Sequence, residues 1–160
     1  MLPDFPLVTD GHPMQLIQRK KTQSTSIDVS DSEVQKLRHA AELVAQAAYC
    51  PYSKFPVGAA VLTSEGEIFA GCNVENASFS LTICAERNAI FQAISKRHRS
   101  IRAIAIVTLG ETPTPPCGAC RQVINEFGAD ADVFVFAKNK RLHFKLSQLL
   151  PNAFGPDNVR

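Results

Sequence analysis

The sequence predicts a three-layer α/β/α fold, in which helices cover both faces of a mixed sheet of five strands. Strand-like apolar runs alternate with segments of helical periodicity, and this alternation favours helices packed on the faces of a mixed sheet. Turn-forming residues separate the segments. The composition agrees with a single globular domain, because 45% of the 160 residues are hydrophobic and 20% are charged.

The first predicted element is a helix that Ser30 or Asp31 can cap, with Glu33 where a carboxylate favours a helix start. Pro51 predicts that this helix ends near Tyr49, because proline disfavours helical conformation in the residue before it. The apolar positions of the helix recur at helical spacing and are Val34, Leu37, Ala41, Val44 and Ala48.

Two strands are predicted next, over residues 57–63 and 67–75. The glycine in the connecting SEGE stretch indicates a hairpin. A helix is predicted to follow over about residues 84–96. The run IRAIAIVTL at residues 101–109 is rich in β-branched residues and is typical of a buried strand.

The remaining segments predict a loop, a helix and two more strands. The stretch GETPTPP indicates the loop, and the next predicted helix covers residues 117–128, where Gly128 ends it. Strands are predicted at residues 132–137 and 141–146. Residues 147–154 indicate a short terminal turn.

Charge and composition argue against several classes of protein. The net charge of +2 is too small to indicate a nucleic-acid-binding surface, and we interpret the basic clusters at residues 19–21 and 96–102 as solvated surface. The first residues include acids where a signal peptide is basic, and no apolar run approaches the roughly 20 residues that span a bilayer. Because the five cysteines are an odd number, a complete disulfide framework is disfavoured, and we expect a reducing, cytoplasmic setting.

The predicted domain organisation is simple. Residues 1–29 lack sustained periodicity and are rich in polar residues and proline, so we expect a flexible N-terminal extension. We expect residues 30–160 to form a single domain.

Cysteines at two predicted helix starts form a candidate metal site. Cys117 and Cys120 have the spacing of half of many zinc sites, although the pair by itself also fits a redox dithiol. Cys84 lies at another helix start, and both junctions follow strands, where ligands of such sheets bind. Three protein ligands and one open position are typical of a catalytic zinc site, and helix N-termini lower the pKa of thiols.

Glu86 and Arg87 add the groups that such a site needs. Glu86 can take a proton from water at a zinc ion and return it to a substrate nitrogen. Arg87 lies on the same helix face as Cys84, where its guanidinium can withdraw charge from the sulfur. This matters because three thiolates outweigh the charge of Zn²⁺, and the surplus makes it harder for the metal to acidify water.

The motif Cys-Ala-Glu at residues 84–86, followed by Pro-Cys-x-x-Cys at residues 116–120, resembles the signature of the nucleoside and nucleotide deaminases. Most branches have histidine in the first position, and the cysteine version is similar to the small homotetrameric cytidine deaminases. The segments AYCPYSKFPVGAA, GCNVENAS, CAERNAI, PCGACRQV and LLPNAFGP also resemble this family. The resemblance extends from about residue 33 to the end of the chain.

The resemblance implies roles for the residues of the metal site. Cys84, Cys117 and Cys120 would bind one Zn²⁺ per subunit. Glu86 would be the catalytic proton shuttle, and Arg87 would tune the charge of the sulfurs.

The resemblance also implies a substrate-binding set. Asn73 and Glu75 would hydrogen-bond the ribose, Phe55 would pack against the pyrimidine ring, and the backbone amide of Ala85 would bind the carbonyl of the base.

Two further aromatic residues, Phe79 and Phe154, would reach a neighbouring subunit's site in a homotetramer with shared active sites. Family members often have tyrosine at the first of these positions. Phe79 lacks the hydroxyl group, so any hydrogen bond from that position is lost.

The implied activity is hydrolytic deamination of cytidine and 2′-deoxycytidine to uridine and 2′-deoxyuridine, with release of ammonia, as in pyrimidine salvage. The expected partner is a nucleoside, and neither a membrane nor a nucleic acid is expected. Three different functions stay open at this point: a deaminase of antibiotic or modified nucleosides, a zinc-dependent nucleic-acid-binding protein, and a dithiol oxidoreductase.

Overall fold

A computed structural model of the chain describes residues 28–155, 158 and 159. The prediction of a flexible N-terminal extension concerns residues that lie outside this range, apart from Asp28 and Val29. Among the helices of the described residues, none is long and apolar enough to cross a membrane.

A mixed five-stranded sheet forms the middle layer, as the sequence predicts. The strand order is β2-β1-β3-β4-β5; β3 and β4 are parallel, and every other neighbouring pair is antiparallel. The strands are β1 (Val57–Thr63), β2 (Ile68–Cys72), β3 (Ile101–Thr108), β4 (Asp132–Ala137) and β5 (Lys140–Lys145).

Helices cover both faces of the sheet, which confirms the three-layer prediction. They are α1 (Asp31–Ala45), α2 (Ala85–Ser95), α3 (Gly118–Phe127) and α4 (Leu146–Leu149), with a short 3₁₀ helix at Phe79–Leu81. The helix α1 packs on one face with Leu37 in the core, and α2, α3 and α4 contribute Ile90, Ile124 and Leu146 to the core on the other face. Alternate residues of the central strands point to the two cores, as the pleat requires.

The helices α1 and α2 lie close to the sheet because glycines of the sheet face them. A Cβ atom at Gly58 would lie 2.0 Å from the carbonyl oxygen of Ala41, and one at Gly71 would lie 2.7 Å from the amide nitrogen of Ala89. Gly58 and Gly71 therefore determine how closely α1 and α2 pack on the sheet.

The first helix begins where the sequence predicts but ends earlier. Ser30 and Glu33 form a reciprocal capping box at its start. The helix ends at Ala45, so the predicted end near Tyr49 is wrong. The physical reason is tertiary, because Tyr49 instead forms backbone hydrogen bonds with residues 73–75 at distances of 3.1 and 2.8 Å.

Two other boundaries also differ from the predictions. The strand β2 ends at Cys72, because Val74 pairs with Ile83 through two backbone hydrogen bonds of 2.9 and 3.0 Å and leaves the sheet. The fifth strand, predicted at residues 141–146, is Lys140–Lys145, and the short helix α4 begins at Leu146 and extends into the predicted terminal turn.

Candidate active site

Three cysteine sulfurs meet where α2 and α3 begin. Cys84 is the N-cap of α2, Cys117 is the N-cap of α3, and Cys120 is buried in the first turn of α3. The three sulfur atoms lie within 4.8 Å of one another, and those of Cys84 and Cys117 are 4.0 Å apart. In the part of the chain that the structure describes, this is the one group of three or more potential metal ligands.

The arrangement of the sulfurs fits a zinc ion. Tetrahedral coordination with Zn–S bonds of about 2.3 Å places two sulfurs about 3.8 Å apart, close to the observed separation. No fourth cysteine, histidine or carboxylate of the described residues joins the group, so one corner stays open for water or substrate. Two helix N-termini directed at the sulfurs also favour negative charge there.

The thiols of Cys84 and Cys120 differ in how strongly they hold their protons. The hydrogen bond with the Cys120 thiol, and after it the Arg87 guanidinium, lowers the pKa of Cys84 to about 5, although burial opposes this shift. The same sulfur–sulfur hydrogen bond, together with burial and the negative charge of Glu86, raises the pKa of Cys120. Deprotonation of Cys120 beside the Cys84 thiolate therefore requires a nearby cation, and a divalent metal would supply that charge.

Arg87 contacts the cluster as the sequence predicts. Its Nη2 atom lies 3.7 Å from the sulfur of Cys84 and donates to the carbonyl oxygen of Thr82 at 3.1 Å. The hydrogen bond to the Cys84 sulfur, and then the negative charge of that sulfur, raises the pKa of Arg87. The guanidinium therefore stays charged and offsets part of the negative charge of the sulfurs.

Glu86 is a buried carboxyl group beside the sulfurs, with only 5% of its surface exposed. Burial is the main cause that raises its pKa, and the negative charge of Cys84 raises it further. A carboxyl group in such surroundings can hold a proton closer to neutral pH than an exposed one, as a group that both accepts and returns protons requires.

A cavity of about 380 Å³ opens in front of the cluster, a size within the usual range for small-molecule sites. Seven of the residues that we predicted for the site line it: Phe55, Asn73, Glu75, Cys84, Ala85, Glu86 and Cys117. Sequence reasoning missed the other lining residues, which are Ser53, Val57, Thr82, Ile106, Thr108, Thr114 and Pro115. Two of these had a signal, because Thr108 is the last residue but one of the strand predicted at residues 101–109 and Pro115 lies beside the Pro-Cys motif.

Asn73 is held by the main chain of the segment that carries Phe55. Its Oδ1 atom accepts from the amide of Val57 at 2.9 Å, and its Nδ2 atom donates to the carbonyl of Phe55 at 2.9 Å. The side chain thus fixes the position of the aromatic residue, a role that sequence reasoning did not anticipate.

Glu75 has a similar contact with the preceding turn. Its carboxylate accepts from the amides of Tyr52 at 2.9 Å and Ser53 at 3.2 Å. The Ser53 side chain, and then these two amides, lower the pKa of Glu75, so the carboxylate is ionised at neutral pH. Lys54, which follows in the turn, adopts a positive φ of 55°.

Phe79 and Phe154 do not line the cavity within one chain. Their exposed fractions are 73% and 61%, and Phe79 makes an edge-to-face contact with Tyr52 at a centroid distance of 5.6 Å. The structure thus presents both rings at the surface.

Fold and site together define a class of metal-dependent hydrolytic enzyme, in which three thiolates and a buried acid face a small-molecule cavity on an α/β/α domain. Comparison with known proteins narrows the class. The family described as the cytidine and deoxycytidylate deaminase zinc-binding region matches residues 31–137.

Individual relatives agree with this match. A cytidine deaminase of Sporosarcina psychrophila is 45% identical over 130 residues, which cover 79% of this chain and 95% of that protein. A probable cytidine deaminase of Dictyostelium discoideum is 46% identical and covers 82% of this chain and 90% of its own length.

Solved structures share the fold. The crystal structure of cytidine deaminase from Burkholderia pseudomallei superposes with a TM-score of 0.72 at 44% identity and covers 75% of this chain and 98% of that one. The chain belongs to the cytidine and deoxycytidylate deaminase family and carries its zinc-binding region.

Proposed function

We propose that this protein hydrolyses cytidine and 2′-deoxycytidine to uridine and 2′-deoxyuridine and releases ammonia. The observation that carries the proposal is the meeting of three sulfurs at two helix N-termini, beside the buried carboxyl of Glu86 and in front of a nucleoside-sized cavity. The identity of 45% to a cytidine deaminase over most of both chains supports the same reaction.

Cys84, Cys117 and Cys120 would hold the zinc ion. When bound, zinc supplies a Lewis acid that lowers the pKa of water, so that hydroxide is available at neutral pH. Arg87 lies where it can draw charge from the sulfur of Cys84, and this would leave a bound zinc ion more electrophilic.

Glu86 would move the protons of the reaction. Its carboxylate takes a proton from water and gives it to N3 of the pyrimidine ring while the new C4–O bond forms. It then moves the second proton from that oxygen to the amino group, and the C4–N bond breaks as ammonia leaves. Water and cytidine are thus converted to uridine and ammonia without any further reactant.

The cavity walls would orient the nucleoside. Phe55 packs against the pyrimidine ring, and the amide of Ala85, at the start of α2, donates to the carbonyl of the base. Asn73 and Glu75 line the same cavity. Both can still bind ribose hydroxyls, because a carboxylate can accept about four hydrogen bonds and a side-chain amide can form about four, as donor or acceptor.

We also propose a cytoplasmic homotetramer in which Phe79 and Phe154 of one subunit complete the site of another. The contact of the exposed Phe79 with the exposed Tyr52 supports this, since neighbouring apolar groups at a surface can mark an interface. The free thiols of all five cysteines are compatible with a reducing compartment. A single domain from residue 30 onward would contain every residue that one subunit contributes to these shared sites.

An ultraviolet assay with cytidine tests the function directly. Protein of measured metal content should deaminate cytidine with about one zinc per chain, lose activity in a zinc chelator and regain it when zinc is restored. A panel of modified cytidines distinguishes the rival substrates. Ammonia release that is independent of zinc, or the absence of any release from zinc-loaded protein, would contradict the proposal.

A redox enzyme and a nucleic-acid-binding protein both receive little support from the geometry. A dithiol oxidoreductase needs Cys117 and Cys120 only, whereas the sulfur of Cys84 lies within 4.8 Å of both. A nucleic-acid-binding role would depend on the basic stretch at residues 96–102, where His98 pairs with Glu65 and Arg102 with Glu33.

A further inference from the structure

The side chain of Arg121 joins two segments that meet beside the metal site. Its Nε atom donates to the carbonyl oxygen of Pro116 at 2.8 Å, and its Nη1 atom donates to the carbonyl oxygen of Leu149 at 2.9 Å. Arg121 directly follows Cys120 on α3, and its side chain is only partly exposed. Both bonds are charge-assisted, so they are stronger than hydrogen bonds between neutral groups.

The first of these bonds acts on the peptide group that brings Cys117 into the site. The carbonyl of Pro116 and the amide of Cys117 belong to the same planar peptide unit. A bond to that carbonyl therefore restrains the orientation in which the exposed Cys117 leaves the loop and enters α3. The sulfur of Cys117 is separated from this restrained unit by only two covalent bonds beyond Cα.

The second bond extends the restraint to the C-terminal segment. Leu149 is the last residue of α4, where unpaired carbonyl groups favour a cation. The segment that follows carries Phe154, whose carbonyl accepts from Gln122 at 2.9 Å and from Asn125 at 3.4 Å. Three side chains of α3 thus hold the chain that presents the exposed Phe154 ring.

We propose that Arg121 is a positioning residue of the metal site, which fixes the peptide of Cys117 against the end of α4. Its role is to keep the sulfur of Cys117 in place for the metal. Its neighbours on α3, Gln122 and Asn125, hold the segment that carries Phe154. This inference rests on the proposed metal site, but it concerns the retention of the ion and not the deamination step.

The test measures the rate at which the zinc-loaded protein loses its metal to an excess of chromogenic chelator. Arg121→Met keeps the aliphatic stem and removes both bonds, and we expect release to become on the order of tenfold faster. Arg121→Lys can restore one bond, so its release rate should lie between those of the parent and Arg121→Met. The melting temperature of each variant is recorded alongside.

Two variants serve as matched controls. Gln92→Ala removes the hydrogen bond of 2.8 Å that the side chain of Gln92, on α2, donates to the carbonyl of Ala70. It tests whether the loss of a side-chain hydrogen bond elsewhere in the fold is enough to speed the release of zinc. Gln122→Ala frees the carbonyl of Phe154 but leaves the Pro116 carbonyl bound. Both should release zinc at the parent rate, even where their melting temperatures fall as far as that of an Arg121 variant.

The outcomes separate this inference from the proposed function. Parent-like zinc release by folded Arg121→Met, or equally fast release by Gln92→Ala, would overturn the positioning role while leaving deamination intact. If Arg121→Met does not fold, Arg121→Lys decides, because it must lose zinc faster than Gln92→Ala at a similar melting temperature. A parent protein that binds no zinc would overturn the metal site itself.

Discussion

Glu86 and Arg87 are adjacent on α2 but meet different surroundings, and this difference separates their chemistry. The carboxyl of Glu86 is 5% exposed, and burial raises its pKa, whereas the guanidinium of Arg87 has a sulfur partner that raises its own pKa. One residue is therefore prepared to exchange protons and the other to remain a fixed positive charge. Glu86 is therefore suited to proton transfer, and Arg87 is suited to compensating the negative charge of the sulfurs.

Replacement of Glu86 by alanine should separate turnover from metal binding. Because the carboxyl is not one of the three sulfur ligands, Glu86→Ala should retain zinc while kcat falls by about 10²–10⁴-fold, the usual contribution of a positioned acid or base. Metal content and initial rates with cytidine are the measurements. Glu126→Ala, at an exposed position of α3, is the control and should keep parent activity. Normal turnover by zinc-loaded Glu86→Ala would rule out the shuttle.

For the helices and strands, the sequence predicted those boundaries that depend on interactions within a short segment of the chain. Strand β1 has its predicted bounds, and α2 and α3 begin beside the predicted cysteines, because apolar runs and helix starts are properties of short segments. The early end of α1 could not be predicted, since it depends on bonds between Tyr49 and residues 73–75. The same holds within the site for Asn73, whose main-chain partners are brought to it by the fold.

The capping box of α1 leads to a pH-dependent prediction. The Ser30 amide and hydroxyl, and then Arg102, lower the pKa of Glu33. A carboxyl whose pKa is lowered on folding stabilises the protein above its unfolded pKa, and this stabilisation disappears as the pH falls through the folded value. Glu33→Ala should therefore cost about 1 kcal/mol at pH 7 and progressively less in acid.

Urea unfolding of Glu33→Ala and the parent at a series of pH values provides the measurement. The exposed Glu67 supplies a control, because Glu67→Ala removes a carboxyl from the β1–β2 turn and not from a helix cap. A stability difference for Glu33→Ala that stayed constant from pH 7 to pH 3 would show that the charge of Glu33 is not what stabilises α1.

The packing of α2 on β2 gives a second prediction for an element. A methyl group at Gly71 would lie 2.7 Å from the backbone nitrogen of Ala89, so α2 would have to shift outward and carry Cys84 with it. Gly71→Ala should lower the free energy of unfolding by about 1–3 kcal/mol, as overpacking does, and should weaken zinc retention.

The comparison variant for this packing test is Gly110→Ala, since nothing lies within 4 Å of a Cβ atom at that position. Thermal unfolding and zinc content of both variants should differ clearly. Equal stability of Gly71→Ala and Gly110→Ala would mean that the contact between α2 and β2 can relax without cost.

For the whole molecule, the position of the aromatic rings raises the question of assembly. The three cysteines lie at the junction of α2 and α3, yet Phe79 and Phe154 are exposed and do not line the cavity of their own chain. The main chain at Phe154 is nevertheless held by Gln122 and Asn125, so the exposure of the ring is built into the fold. Our proposal that this ring acts on a neighbouring subunit's site can therefore be tested on the assembled protein.

Complementation between two inactive variants distinguishes action on a neighbour from action within one chain. Glu86→Ala lacks the shuttle but keeps Phe154, and Phe154→Ala lacks the ring but keeps Glu86. If the ring serves another subunit's site, random co-assembly of equal amounts should make about a quarter of the sites complete, because each needs one intact contribution from each variant. Activity of the co-expressed mixture should then exceed the mean of the two pure variants. If Phe154 acts only within its own chain, no assembled site is complete, and the mixture stays at that mean.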